Sequence, residues 1–259
     1  MISVRPDLTA GDIARLIATS ITVYLVSPQI SKYVTEFYVS LDVSDAGGAA
    51  VWVVDYTLFG ATLGIESLFF HQGIGYKYNF VNHSGLHPCS LPNYRVVQIQ
   101  PVTLNISTED ATPLNPPSPP HVQATYYGAI VVAEFLGTVA PRIITEVTFS
   151  SSTMSGYAFY GAGGTLKKVL LINSEAFLTG ETTRSSNTVF FNFGATGPKN
   201  MIIKRLSIPH ADVLTGLTWG GQTYETSNAL VSGNLHTTTV AVANGVTVSA
   251  TEVVLVVFQ

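Results

Sequence analysis

Apolar positions are spaced differently before and after Pro141, and the difference predicts two kinds of secondary structure in one chain. From Ala49 to Leu63, apolar residues occupy almost every face of a helical pattern, as expected of a helix that is covered on most sides. The short apolar run over 65–71 predicts a buried parallel strand. A second helical pattern covers 124–136. Because a helix followed by a buried strand is half of a βαβ unit, the first part of the chain is predicted to be α/β.

Cap and turn residues mark the ends of these elements. Ser44 and Asp45 form the pattern of a helix N-cap with an acidic first turn. Gly64 is a typical residue just beyond a helix C-terminus. Five prolines between 113 and 120 are incompatible with a helix in that stretch. We therefore predict a proline-rich loop at about 81–123 between the strand and the second helix.

Beyond residue 141, short runs of β-branched and aromatic residues alternate with turn residues. Gly161–Gly164 and Asn244-Gly245 are hairpin-type turn sequences. The pattern predicts strands over Ile143–Phe149, Met154–Tyr160, Lys167–Asn173, Thr188–Phe193, Met201–Ile208, His236–Val242 and Val253–Phe258. Short strands separated by regular turns are typical of an antiparallel β-sandwich, which we predict for residues 142–259.

Composition and charge disfavour several classes of protein. Charged residues make up 11% of the chain and hydrophobic residues 46%, a balance that is atypical of a disordered protein. The formal net charge is −4 and no run of Lys and Arg occurs, so nucleic acid is not a predicted partner. The apolar run Ile21–Val26 is too short to span a membrane. Cys89 is the only cysteine and the six histidines lack metal-ligand spacing, so we predict no internal disulfide, no metal site and no cofactor.

Four stretches of the sequence resemble the fungal and bacterial β-glucuronidases of glycoside hydrolase family 79, which are relatives of heparanase. They are Val43–Tyr56, His71–Asn79, Tyr126–Glu134 and Thr218–Thr226, the last being the most specific. Their order and spacing follow the family. The resemblance implies an α/β barrel fragment over 1–137, the last strands and helices of a (β/α)8 barrel, followed by an all-β antiparallel sandwich over 142–259.

The resemblance also implies a retaining glycosidase that uses two carboxylates and acts on glycans containing glucuronic acid. In this family the acid/base lies on the fourth barrel strand and the nucleophile on the seventh. The chain matches the family from about the seventh strand onward, so we expect it to lack activity by itself. The family is extracellular, although the N-terminus of this chain does not have the pattern of a signal peptide.

Five residues are predicted to belong to the substrate site. Glu36 stands where the family has its nucleophile, and a loop glutamate with no catalytic role is the alternative. Tyr76 and Tyr78 follow the eighth strand, where a tyrosine of the family holds the carboxylate of the uronic acid, and plain packing is the alternative. Gly73 and Gly75 would let backbone N–H groups approach the substrate closely.

Several alternatives stay open. Trp219, beside Gly220 and Gly221, is either a sugar-stacking residue or, in the favoured interpretation, a packing residue next to a glycine turn. Residues 81–98 have no counterpart in the family pattern, and they are either an inserted loop or a translated intron. For the whole chain, the alternatives are a non-catalytic β-sandwich module that binds carbohydrate or protein, and an incomplete gene model.

Overall fold

The computed structural model describes two apolar helices and eleven β-strands. The described residues are 46–65, 68, 102–103, 121–138, 143–226 and 229–259. Most of the predicted strand over 65–71 and most of the predicted loop at 81–123 lie outside the described residues. Within that loop, β1 (Val102–Thr103) and β2 (His121–Val122) form a short antiparallel pair, which the sequence pattern did not predict.

Helix α1 spans Gly47–Thr62, and its N-terminus differs from the prediction. The N-cap is Ala46, which makes no side-chain cap hydrogen bond, so the predicted cap at Ser44 and Asp45 is wrong. The N–H groups of Gly47 and Gly48 donate instead to the backbone carbonyls of Val213 and Ala211. Both carbonyls belong to the sandwich predicted for residues 142–259, which we call the β domain. Tertiary contact therefore satisfies the donors that a cap side chain usually satisfies.

The C-terminus of α1 agrees with the prediction that Gly64 follows the helix. Gly64 has a φ of 77°, and its N–H donates to the carbonyl of Ala61. The N–H of Ile65 donates to the carbonyl of Gly60. This pair of bonds is a Schellman motif, which favours glycine at the left-handed position.

Helix α2 spans Ala124–Leu136, which agrees with its predicted limits. It packs closely against α1 at Gly128, where a Cβ atom would lie 2.7 Å from the carbonyl oxygen of Ala50 and 3.0 Å from the side chain of Val53. A glycine is required at this crossing because the backbones of the two helices approach too closely for a larger side chain.

The remaining strands form two antiparallel sheets. The larger sheet has seven strands in the order β3-β4-β5-β11-β7-β8, with β9 also paired to β7. Its members are β3 (Ile143–Glu146), β4 (Met154–Tyr160), β5 (Leu166–Asn173), β7 (Asn200–Ser207), β8 (Thr218–Trp219), β9 (Thr238–Ala241) and β11 (Glu252–Phe258). The smaller sheet pairs β6 (Ser186–Val189) with β10 (Val246–Ser249).

The central strands of the seven-stranded sheet are buried on both faces. Along β5, Leu170 and Ile172 contact the cluster that contains α1 and α2, whereas Val169 and Leu171 contact the smaller sheet. Successive side chains of a strand point to opposite faces, so a strand covered on both sides carries a continuous apolar run. This explains why the sequence of β11 is apolar at nearly every position.

The predicted fold class is confirmed for the antiparallel β-sandwich. The two sheets pack against each other through an apolar core, while the second face of the larger sheet is covered by helices. The strand pairs among the described residues are all antiparallel, and the barrel fragment stays a prediction.

Several predicted details of the β domain are corrected. The strand predicted over Ile143–Phe149 ends at Glu146, and β8 and β10 are not among the predicted strands. The strand predicted over Thr188–Phe193 is observed as Ser186–Val189, since its partner β10 begins at Val246, which pairs with Val189. The Asn244-Gly245 turn does not close a hairpin. It follows β9 of the larger sheet and precedes β10 of the smaller one, so it carries the chain from one sheet to the other.

Candidate functional site

The five predicted substrate-site residues, Glu36, Gly73, Gly75, Tyr76 and Tyr78, lie outside the described residues, so their roles stay predictions. What the structure does describe is the contact between the two helices and the larger sheet, which we call the helix–sheet interface. Its apolar part comes from both helices and from β4, β5, β7, β8 and β11. Polar contacts within this interface fix the positions of the helices relative to the sheet.

Asp55 and Tyr157 form one polar contact of the helix–sheet interface. Tyr157 lies on β4 with a fully buried side chain, and its hydroxyl donates to Asp55 Oδ1 at 2.6 Å. The same hydroxyl lies 3.0 Å from the carbonyl oxygen of Asp55. A charged acceptor strengthens such a bond, so it fixes the middle of α1 on the sheet.

Glu134 joins the end of α2 to β7 and β8. Its Oε2 accepts hydrogen bonds from the indole N–H of Trp219 at 2.7 Å and from Lys204 Nζ at 2.8 Å. Lys204 Nζ also lies 4.7 Å from the centre of the Trp219 ring. Trp219 is 1% exposed, so it is a packing residue, and the sugar-stacking alternative is excluded.

The turn after Trp219 confirms the predicted role of the two glycines. Gly220 and Gly221 have φ angles of 57° and 74°, and Gln222 N donates to the carbonyl of Trp219 at 3.2 Å. Positive φ at both central residues is typical of a type I′ hairpin turn. The turn directs the indole of Trp219 toward α2.

Tyr127, near the start of α2, contacts the segment after this turn. Its hydroxyl lies 3.0 Å from Thr223 Oγ1 and accepts a hydrogen bond from Tyr224 N at 2.9 Å. The rings of Tyr127 and Tyr224 meet edge to face with centres 5.6 Å apart. Burial raises the pKa of the Tyr127 phenol, so the hydroxyl stays protonated well above neutral pH.

The N-terminus of α1 contacts residues 208–216, which we call the α1-contact loop. Gly47 N donates to the carbonyl of Val213 at 2.7 Å, and Gly48 N donates to that of Ala211 at 2.8 Å. A Cβ atom on Gly47 would lie 2.5 Å from Ile208 Cγ2. The first turn of α1 and the loop therefore fit together with no room for a side chain at Gly47.

Asp55 and Glu134 were not predicted as interface residues, although the sequence contains a signal for both. Each is the only charged residue in its helix. A charged residue in an otherwise apolar helix needs a partner when the helix is buried. The partners, Tyr157 and Trp219, are distant along the chain, so the sequence alone does not reveal them.

Within the described residues, no group of three or more His, Cys, Asp or Glu side chains is placed to hold a metal ion. Among the same residues, no helix combines the length and apolarity needed to cross a membrane.

The polar groups of the helix–sheet interface have a structural role. The carboxylates of Asp55 and Glu134 accept hydrogen bonds from the buried side chains of Tyr157 and Trp219, which fixes the helices on the sheet.

Fold and interface together define a class of protein domain, an antiparallel β domain that covers two apolar helices with one face of its larger sheet. Residues 156–255 match the model of the glycosyl hydrolase family 79 C-terminal beta domain. This match confirms the resemblance that the sequence shows to the C-terminal part of the family's proteins.

Two curated relatives are fungal enzymes. A β-glucuronidase of Neurospora crassa is 27% identical, with 70% of this chain and 33% of the relative covered. A β-glucuronidase of Aspergillus niger is 26% identical, with 70% of this chain and 30% of the relative covered. The chain thus spans about a third of the length of the curated relatives that it matches.

A solved structure supports the fold. It is a 4-O-α-L-rhamnosyl-β-D-glucuronidase from Fusarium oxysporum 12S in complex with Rha-GlcA. The TM-score is 0.60 at 20% sequence identity, and the match covers 84% of this chain and 40% of that one. Residues 156–255 are less than half of this chain, whereas the structural match covers 84% of it, so the likeness extends beyond the β domain.

Proposed function

We propose that this chain is the C-terminal part of a retaining β-glucuronidase that acts on glycans containing glucuronic acid. The observation that carries the proposal is the match of residues 156–255 to the family's C-terminal beta domain. The two fungal β-glucuronidases support the same activity, since they align with 70% of the chain. An extracellular location, which the family resemblance implies, is part of the proposal.

In this proposal the chain contributes one of the two catalytic carboxylates. Glu36 is the nucleophile that forms the glycosyl-enzyme intermediate, and an acid/base from the fourth barrel strand protonates the leaving oxygen. A retaining mechanism needs these two groups about 5–5.5 Å apart. Tyr76 and Tyr78 bind the substrate through their hydroxyl groups and rings, and Gly73 and Gly75 let the backbone approach the sugar.

The β domain has a supporting role in this enzyme. Its larger sheet holds α1 and α2 through the apolar part of the helix–sheet interface. The contacts of Tyr157 with Asp55 and of Trp219 with Glu134 fix the position of the helices along the sheet. Active-site residues on a barrel require such a rigid support, because errors of about 1 Å in position cost roughly 100-fold in rate.

The test is an assay of aryl β-D-glucuronide hydrolysis by the polypeptide encoded by the full-length transcript that contains these residues. We expect turnover in the wild type and a loss of kcat on the order of 10⁴-fold in the Glu36→Gln variant. Glu146→Gln is the matched control, because Glu146 is an exposed residue of β3. An unchanged kcat in Glu36→Gln would contradict the assigned nucleophile.

The same preparation separates the enzyme from the alternative interpretation. If the wild-type protein gives no turnover but binds to a column that carries a glycan with glucuronic acid, the chain belongs to a non-catalytic binding protein. If it does neither, both functions are wrong.

A further inference from the structure

The α1-contact loop is held in place by the β domain itself. Ala211 N donates to the carbonyl of Phe177 at 2.7 Å. Asp212 Oδ1 accepts hydrogen bonds from the backbone N–H and the hydroxyl of Thr179, at 2.9 and 3.0 Å. These bonds hold the pKa of Asp212 below its usual value, so its carboxylate is ionised at neutral pH.

Further contacts fix both ends of the loop. At its C-terminal end, Glu225 accepts hydrogen bonds from the N–H groups of Gly216 at 2.8 Å and Leu217 at 3.0 Å. At its N-terminal end, the His210 ring stacks on Phe177 with centres 4.7 Å apart. The carbonyls that receive α1 are therefore presented by a loop with fixed geometry.

The contact between this loop and α1 is close and tolerates little change at one position. A Cβ atom on Gly47 would lie 2.5 Å from Ile208 Cγ2 and 2.8 Å from the carbonyl oxygen of His210. A Cβ atom on Gly48, by contrast, would lie 3.4 Å from the carbonyl oxygen of Ala211 and 3.6 Å from its Cβ, so it would nearly fit. The two neighbouring glycines thus give opposite predictions for the same substitution.

The position of this contact in the fold suggests a role in catalysis, and this role rests on the proposed function. In a (β/α)8 barrel the N-terminus of each helix lies at the catalytic end of the preceding strand. The proposed nucleophile, Glu36, is eleven residues before Gly47 in the sequence. In the proposed enzyme, the loop would therefore contact the start of the helix that follows the strand with the nucleophile.

We propose that the α1-contact loop is a positioning element for the glycosidase reaction. By fixing the first turn of α1 through the carbonyls of Ala211 and Val213, it restrains the connection that carries the nucleophile. A restraint on the nucleophile acts on the transition state more than on substrate binding. Its loss should therefore lower kcat and leave KM nearly unchanged.

The test compares Gly47→Ala with Gly48→Ala in the enzyme encoded by the full-length transcript. Both substitutions replace a glycine with the better helix former, so helix propensity is matched. We expect kcat to fall at least tenfold in Gly47→Ala with KM within threefold of the wild type, and Gly48→Ala to keep both values. Asp212→Ala, which releases the loop from Thr179 without touching α1, should lower kcat in the same direction.

Amide hydrogen exchange on the 259-residue chain measures the contact independently of activity. The Gly47 and Gly48 amides should be protected in the wild type and exchange faster in Asp212→Ala. If Gly47→Ala fails to fold, Asp212→Ala carries the kinetic test. Wild-type kcat in a folded Gly47→Ala and in Asp212→Ala would overturn the positioning role within an active enzyme. Lack of wild-type turnover, with protected amides, would instead contradict the proposed function and the role that rests on it.

Discussion

Single charged residues within apolar helices determine how the helices of this chain attach to its sheet. Asp55 in α1 and Glu134 in α2 each accept a hydrogen bond from a buried aromatic side chain of the β domain. Ring groups such as the Tyr hydroxyl and the Trp N–H need a polar partner when they are buried. Each of these hydrogen bonds therefore fixes which part of the helix packs against the apolar face of the sheet.

Glu134→Ala should destabilise the chain by about 1–3 kcal/mol, because it leaves the buried indole N–H of Trp219 without its acceptor. Glu134→Gln keeps an oxygen acceptor for Trp219 and loses mainly the ion pair with Lys204, whose side chain is 12% exposed; this loss should cost on the order of 1 kcal/mol. Urea unfolding followed by tryptophan fluorescence measures the difference. A Trp52→Phe background leaves Trp219 as the only reporter, since the chain has two tryptophans. Equal loss of stability in both variants would show that the indole bond contributes nothing.

At the scale of elements, glycine decides where the helices approach each other and where they meet the β domain. Gly128 allows the crossing of α1 and α2, and Gly47 allows α1 to begin against the α1-contact loop. Neither position requires a positive φ. The reason for glycine at both is close backbone approach, which differs from the turn role of Gly64.

Gly128→Ala should destabilise the chain by about 1–3 kcal/mol, because the added methyl group would lie 2.7 Å from the carbonyl oxygen of Ala50. Gly60→Ala in α1 is the matched control. Its methyl group would lie 3.3 Å from the end of the flexible Leu68 side chain, so the gain in helix propensity, up to about 1 kcal/mol, offsets the crowding. Thermal unfolding by circular dichroism compares the two. A Gly128→Ala variant as stable as Gly60→Ala would be inconsistent with a tight helix crossing.

At the scale of the whole molecule, the larger sheet is the layer that joins everything else. The smaller sheet covers one of its faces, and α1 and α2 cover the other. The helices complete the apolar core of the β domain, so the boundary predicted near 137–142 divides the sequence at a place where the packing is continuous. Residues of both helices and of five strands of the larger sheet belong to one apolar cluster.

The 259-residue polypeptide by itself should not hydrolyse an aryl β-D-glucuronide. The family resemblance assigns the acid/base to the fourth barrel strand, and without leaving-group protonation the glycosidic bond is not cleaved at a useful rate. The measurement is a glucuronide assay on the purified chain, after circular dichroism has shown that it is folded. Turnover that Glu36→Gln abolishes would contradict this expectation, because it would place a complete site within these residues.

Much of the fold could be predicted because its signals are local. The limits of α2 and β4, the glycine after α1 and the glycine turn at 220–221 depend on residues that are neighbours in the sequence. The cap of α1 could not be predicted, because its donors bind carbonyls some 160 residues further along the chain. The early end of β6 likewise depends on a distant residue, since its partner strand β10 begins at Val246, opposite Val189.

The sequence by itself determined both helices, most of the longer strands and the resemblance to the family, since periodicity, turn residues and motif spacing are all written along the chain. Only the tertiary structure decided which groups meet. It paired Asp55 with Tyr157 and Glu134 with Trp219, and it placed the α1-contact loop against Gly47. Helices cover one face of the larger sheet because both of its faces are apolar and the smaller sheet covers only one of them. A periodic pattern shows that a face is buried, whereas only the packed chain shows what buries it.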